Sequence, residues 1–192
     1  MTDDAIRQLT EKCGKADVNA FKELVRQYQP FAFALAMRLL ADEDEASDVV
    51  QESFVRVWKH IDQYDPRKKF TTWLYTIVTN LSLDRLRAIR RNHRLFFPRD
   101  EYRDTDGVQV ADDIVEIQSN RELAAMIRSL TAELPVKQRL VFTLRDLQDL
   151  SVEEVAEITN MSIGSVKTNL HYARRRIRRL MGEKYHVERL ES

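Results

Sequence analysis

Cysteine is nearly absent: Cys13 stands alone in 192 residues. One thiol closes no internal disulfide, so the chain is not a stapled secreted domain and reads as cytoplasmic. No activating partner can be placed beside Cys13, which is read as an inert N-terminal residue. Glycine and proline number four each, too little punctuation for the many turns of a sandwich or barrel. The longest apolar stretch, Phe31 to Met37, is far short of a membrane span. Met1 to Thr10 holds two aspartates and no apolar run, unlike a signal peptide. The four histidines, His60, His93, His171 and His186, lack metal-ligand spacing, and no Gly-rich phosphate loop occurs. These absences lead us to expect no metal, cofactor or small-molecule substrate, and no enzyme.

What remains is long amphipathic helix and segregated charge. Net charge is zero, 31 cations against 31 acids. From Asp42 to Glu52 there are six acids and no cation, and from Arg85 to Arg99 six arginines and no acid. Lys167 to Arg179 carries six cations and no acid, whereas Asp100 to Glu122 carries eight acids against two arginines. Such segregation points to two basic surfaces for a polyanion and separate acidic ones.

The expected fold is all-α: two small helical domains joined by a flexible acidic linker. Residues 17–40 place Phe21, Leu24, Val25, Tyr28, Phe31, Leu35 and Leu39 on one helical face, with Pro30 expected to kink or split the helix. A second helix, about 44–62, buries Ala46, Val49, Val50, Phe54, Val57, Trp58 and Ile61. A third begins near Thr71 or Thr72, either of which can cap it, and runs into the arginines. The N-terminal domain is set at 1–94 and the linker at 95–118, where the pattern is lost around Pro98 and Gly107. Residues 119–192 form the C-terminal domain. There Pro135 suits a first helical turn, Ser151 and Glu154 form a capping box, and Ser162 can cap the last helix.

Val152–Thr159 and the helix from Ile163, joined by three residues, have the form of a helix-turn-helix. At 100° per residue, Ile163, Val166, Leu170, Ile177 and Leu180 face inward. Ser165, Lys167, Thr168, His171 and Tyr172 face outward, where such side chains reach base edges or phosphates. Arg174, Arg175, Arg176, Arg178 and Arg179 suit the phosphate backbone. The bland alternative is a solvated helix whose arginines contact nothing. In the first domain Tyr64, Phe70, Trp73 and Tyr75 precede the arginines. Exposed, they would stack on unpaired bases; at helical spacing they serve equally as core. The arginines repel one another unless a polyanion or an acidic partner neutralises them.

Together these segments resemble an extracytoplasmic-function (ECF) sigma factor of bacterial RNA polymerase, a member of the sigma-70 superfamily, from about Ala20 to Leu180. The resemblance rests on A-x-D-V-V-Q-E-S-F (Ala46 to Phe54), F-T-T-W-L-Y-T-I-V-T-N (Phe70 to Asn80) and Asp84-Arg85-Leu86-Arg87. In the second half it rests on L-P-V-K-Q-R-L-V-F (Leu134 to Phe142), L-S-V-E-E-V-A-E-I (Leu150 to Ile158) and S-I-G-S-V-K-T (Ser162 to Thr168). It implies that Asp48, Gln51, Glu52 and Trp58 lie at or near core RNA polymerase. It implies that the loop from Tyr64 through Lys68 to Phe70 holds a flipped −10 base, and that Asn80, Arg87, Arg90 and Arg91 lie beside −10 promoter DNA. Lys167, Thr168, His171 and Tyr172, with Ser165 and Arg175, match the −35 reading face. The resemblance implies that the linker threads the polymerase channels and that an anti-sigma factor, often membrane-anchored in the family, covers these surfaces. The chain departs from the family at Asn169 and Tyr172, where arginine is common, and 182–192 is read as only a short tail. A sensor-type regulator would need a ligand pocket or phosphoacceptor in residues 1–95, and none is visible. A decoy interaction protein would need acidic surfaces in place of the two basic ones.

Overall fold

The computed structural model describes Gln8, Thr10, Glu11, Cys13 and residues 17–96 and 118–185. The expected linker falls almost wholly on 97–117 and the tail partly on 186–192, outside the described residues. Seven helices are described over residues 17–185: α1 (Val18–Leu40), α2 (Glu43–His60), α3 (Phe70–Phe96), α4 (Gln118–Ala132), α5 (Val136–Phe142), α6 (Val152–Thr159) and α7 (Ile163–Tyr185). No strand occurs among the described residues. The chain falls into two compact units, Met1–Pro98 with Glu157–Thr159, and Arg99–Ala156 with Asn160–Ser192.

In the first unit α1, α2 and α3 each pack on the other two. Leu24, Leu35, Leu39, Ala46, Val57, Leu74 and Val78 are fully buried between them; each large side chain contributes about 1.5–3 kcal/mol on burial. Asp17 starts α1 by accepting from the Asn19 and Ala20 amides, and Asp42 starts α2 by accepting from Glu45. Pro30 does not split α1, which runs unbroken through it. Phe31 is 52% exposed, against expectation, and the interior there is filled by Ala32 and Ala36. Neither Thr71 nor Thr72 opens α3. The helix begins one residue before Thr71, at Phe70, where the Lys69 carbonyl accepts from the Trp73 amide. Cys13 is buried, and burial, helped by the Asp17 charge, raises its thiol pKa. That keeps it protonated and unreactive.

In the second unit α7 packs on α5 and α4. Pro135 precedes α5 and its carbonyl accepts from Arg139. Arg139 is buried and donates to the Ala132 and Leu134 carbonyls at 2.6 and 3.3 Å, satisfying the end of α4. A π-helical turn, Thr143–Leu147, extends α5 and buries Leu144. The capping box is present: the Ser151 amide donates to Glu154 (2.8 Å) and the Glu154 amide to Ser151 Oγ (3.1 Å). Asn160, at φ 53°, ends α6, with the Met161 amide donating to the Ala156 carbonyl. This is the left-handed stop that turns the chain into the last helix. Ser162 then caps α7 through the Ser165 amide at 3.2 Å.

Ala41 ends α1 at φ 56°, a left-handed conformation in which a Cβ is strained. Ala41→Gly is therefore expected to stabilise the protein by up to about 1 kcal/mol, seen as a higher melting temperature in a thermal scan. An unchanged or lower value would show that Ala41 carries no strain.

Candidate nucleic-acid interface

On α3 the buried face, Leu74, Val78, Leu81 and Ser82, fixes what the opposite face presents. Asn80, Asp84, Arg87 and Arg91 are all exposed and lie within about 60° of one another around the axis. They form a polar stripe some three turns long. Arg90 belongs to α3, but its side chain lies outside the described residues. Asp84 accepts from Arg87 at 2.6 Å. Arg85 turns away from this stripe and binds Glu45 and Asp48 of α2, the latter at 3.4 Å. The arginine run is thus partly neutralised from within. These pairs are exposed and worth little, so a phosphate can displace them.

The aromatics correct one expectation. Phe70 and Tyr64 are 2% and 8% exposed, and Tyr75 is buried as well. Phe70 packs on Tyr28 (4.9 Å between ring centroids), on Tyr64 (5.7 Å) and on Trp73 (5.9 Å). Their rings are occupied with one another and offer no free face to a base; only Trp73 is half-buried. The loop between them is braced locally. Tyr64 Oη donates to the Lys68 carbonyl at 2.5 Å. Asp65 receives the Arg67 guanidinium and amide, which hold its carboxyl below the ordinary carboxylate range. Pro66, Arg67, Lys68 and Lys69 remain exposed.

On α2, Asp48, Gln51 and Glu52 are exposed, and Glu52 holds Arg56 at 2.7 Å. Trp58 is half-buried against Phe21, 4.8 Å away. Gln51, Val55 and Trp58, with Val18, Phe21 and Val25 of α1, line an apolar groove of about 640 Å³.

On α7, Lys167, Thr168, His171, Tyr172 and Arg175 are exposed and Ser165 is partly so. Val166, Leu170, Ala173 and Leu180 are buried on the opposite side. Ile163 is a correction: at 44% exposure it stands at the rim and not in the core. His171 and Tyr172 form an edge-to-face pair, 5.6 Å between centroids. The Asn169 amide donates to the Ser165 carbonyl at 2.9 Å, so Asn169 is drawn back on its own helix. Arg174 of the arginine run is paired with Asp146 at 2.8 and 2.6 Å.

Sigma-70 region 2 matches residues 24–92, and sigma-70 region 4 matches residues 124–177. The ECF RNA polymerase sigma factor SigW of Bacillus subtilis is 34% identical over 91% of this chain and 95% of its own length. The ECF sigma-E factor of Escherichia coli is 31% identical over 88% and 90%. The chain belongs to the ECF sigma factors.

Two solved structures share the fold of this sigma factor. RpoE from Bartonella quintana, in complex with the anti-sigma factor NepR, is 25% identical, covers 90% of this chain and 100% of its own, and has a TM-score of 0.68. CnrH, in complex with the cytosolic domain of CnrY, is 25% identical, covers 94% and 99%, and has a TM-score of 0.66. As a sigma factor the protein is a transcription-initiation factor and not an enzyme. Among its described residues no helix is long and apolar enough to cross a membrane. The exposed stripe of α3 lies in region 2 and that of α7 in region 4. Sequence reasoning missed the Arg85 and Arg174 pairs. Charge runs of opposite sign on α2 and α3 were a signal for the first; the second joins residues far apart in sequence and left none.

Phe70→Ala is expected to cost about 3–5 kcal/mol of stability, as loss of a large core side chain does. Arg91→Ala, on the exposed stripe, should change it by less than about 0.5 kcal/mol. Thermal or denaturant unfolding distinguishes the two, and a Phe70→Ala protein as stable as the parent would return Phe70 to the surface.

Proposed function

We propose that this sigma factor binds core RNA polymerase through α2 and reads the two promoter elements with α3 and α7. Asp48, Gln51, Glu52 and Trp58 serve polymerase docking. Asn80, Arg87, Arg90 and Arg91, with Lys68 and the edge of Trp73, serve the −10 strand. Ser165, Lys167, Thr168, His171, Tyr172 and Arg175 serve the −35 duplex. Tyr64 and Phe70 contribute by holding the 64–70 loop in shape, not by stacking on a base. The observation that carries this reading is the pair of exposed polar stripes, one in each matched region. Each lies on a long helix whose opposite side is buried.

Before DNA binds, Arg174 is paired with Asp146 in an exposed pair that a phosphate can displace. Lys167 and Arg175 supply charge, and Thr168, His171 and Tyr172 supply hydrogen bonds and apolar contact, including to a thymine methyl. Phosphate contacts release counterions, so promoter binding falls steeply with salt. The domain division is 1–94 and 119–192 joined by 95–118; one matched region, 24–92 or 124–177, falls within each domain and supports it. The protein works in the cytoplasm, where polymerase and promoter are. An anti-sigma factor, soluble or membrane-anchored, controls it; the relatives RpoE and CnrH, solved in complexes, support this.

Run-off transcription with core polymerase on a library of genomic promoter fragments tests the reading. We expect transcripts from a restricted set of start sites, whose upstream sequences give both elements. Lys167→Ala with Thr168→Ala should abolish the −35 preference and leave core binding intact. Asp48→Ala with Glu52→Ala should weaken core binding and spare −35 duplex binding. Failure to form any complex with core polymerase would overturn the docking assignment.

A further inference from the structure

The −35 reading stripe of α7 has one member without a side chain. Taking Gly164 as the origin, Lys167, Thr168, His171 and Arg175 all fall within about 60° of it around the axis. Gly164 is thus the N-terminal member of the stripe, and it is exposed. Nothing inside the protein requires glycine there. Beyond its chain neighbours and the adjoining helix backbone, no atom lies within 4 Å of the place where a Cβ would sit. Its backbone is not in the left-handed region, since no described glycine has positive φ. The start of the helix is already satisfied by Ser162, whose hydroxyl accepts from Ser165 and whose carbonyl accepts from Val166. Glycine in a helix is nevertheless destabilising relative to alanine, because it has more freedom to lose. The fold gains nothing from it.

We propose that Gly164 is a positioning residue for promoter binding: its bare backbone is where the DNA comes closest to α7, setting how deeply the helix enters the −35 groove. A residue without Cβ permits close approach of backbone to ligand. A methyl group at 164 would meet no protein atom but would stand between the helix and the DNA, lifting Lys167, Thr168 and His171 off their contacts together. This rests on the assignment of α7 to the −35 element. Gly182 is a built-in comparison. It sits on the same face of the same helix, about 27 Å further along the axis, is exposed, and likewise has no atom within 4 Å of a Cβ.

The test uses the full-length protein and its core polymerase complex. The probe is a duplex carrying the −35 element recovered in the run-off experiment. Gly164→Ala should melt no lower than the parent, bind core polymerase equally, and lose at least about tenfold in affinity for the duplex, the scale of a lost base contact. Gly182→Ala should keep all three. Lys167→Ala tells the two levels of the argument apart. If Lys167→Ala loses duplex binding and Gly164→Ala does not, the Gly164 proposal falls and the α7 assignment stands. If neither loses it, the α7 assignment falls, and the proposal with it. Equal losses in both glycine variants, or a lower melting temperature for Gly164→Ala, would also overturn the proposal.

Discussion

The structure depends on burial of one side of each long helix. Val166, Leu170, Ala173 and Leu180 cannot leave the interior without exposing apolar surface, so α7 cannot rotate about its axis. The stripe containing Lys167, Thr168, His171 and Arg175 is thereby fixed in direction before any partner arrives. The same holds for α3, where Leu74, Val78 and Leu81 lock the stripe of Asn80, Asp84, Arg87 and Arg91 outward. Buried apolar residues therefore supply the geometry of both exposed stripes.

Electrostatics refine that arrangement and do not hold it up. Pairs among exposed side chains, such as Arg87 with Asp84 and Arg56 with Glu52, are each worth at most about 1 kcal/mol. They park cations beside acids of the same unit, which limits self-repulsion in the absence of a polyanion. Arg85 illustrates the division of labour. It stands within the basic run, yet its guanidinium faces Glu45 and Asp48 of α2. The acidic helix is thus both an exterior surface and an internal counter-charge.

Much of this was legible from residue order. Helical periodicity gave the interior of α2 correctly at Ala46, Val49, Val50, Phe54 and Val57, and local capping chemistry located Ser151, Glu154 and Ser162. The family is shown by motifs spread across both units. The roles of individual site residues are legible only through the resemblance to that family, and stand as proposals. Failures came where short-range pattern meets three-dimensional neighbours. Phe31 has the right spacing for the core but is exposed, while Ala32 and Ala36 of the same helix are buried. Tyr64 and Phe70 are separated by a loop, and only the fold discloses that their rings share one cluster with Tyr28. Arg174 looks like its neighbours in sequence and is set apart only by the distant Asp146.

The central claim is that two fixed stripes, one per unit, read two separate promoter elements. Site-specific photocrosslinking in the polymerase holoenzyme tests it most directly, with the photoreactive residue placed at Arg91 in one protein and at Tyr172 in another. The account predicts that position 91 crosslinks within the −10 element and position 172 within the −35 element of the same promoter. Crosslinks from both positions to one element, or from neither to DNA, would contradict it.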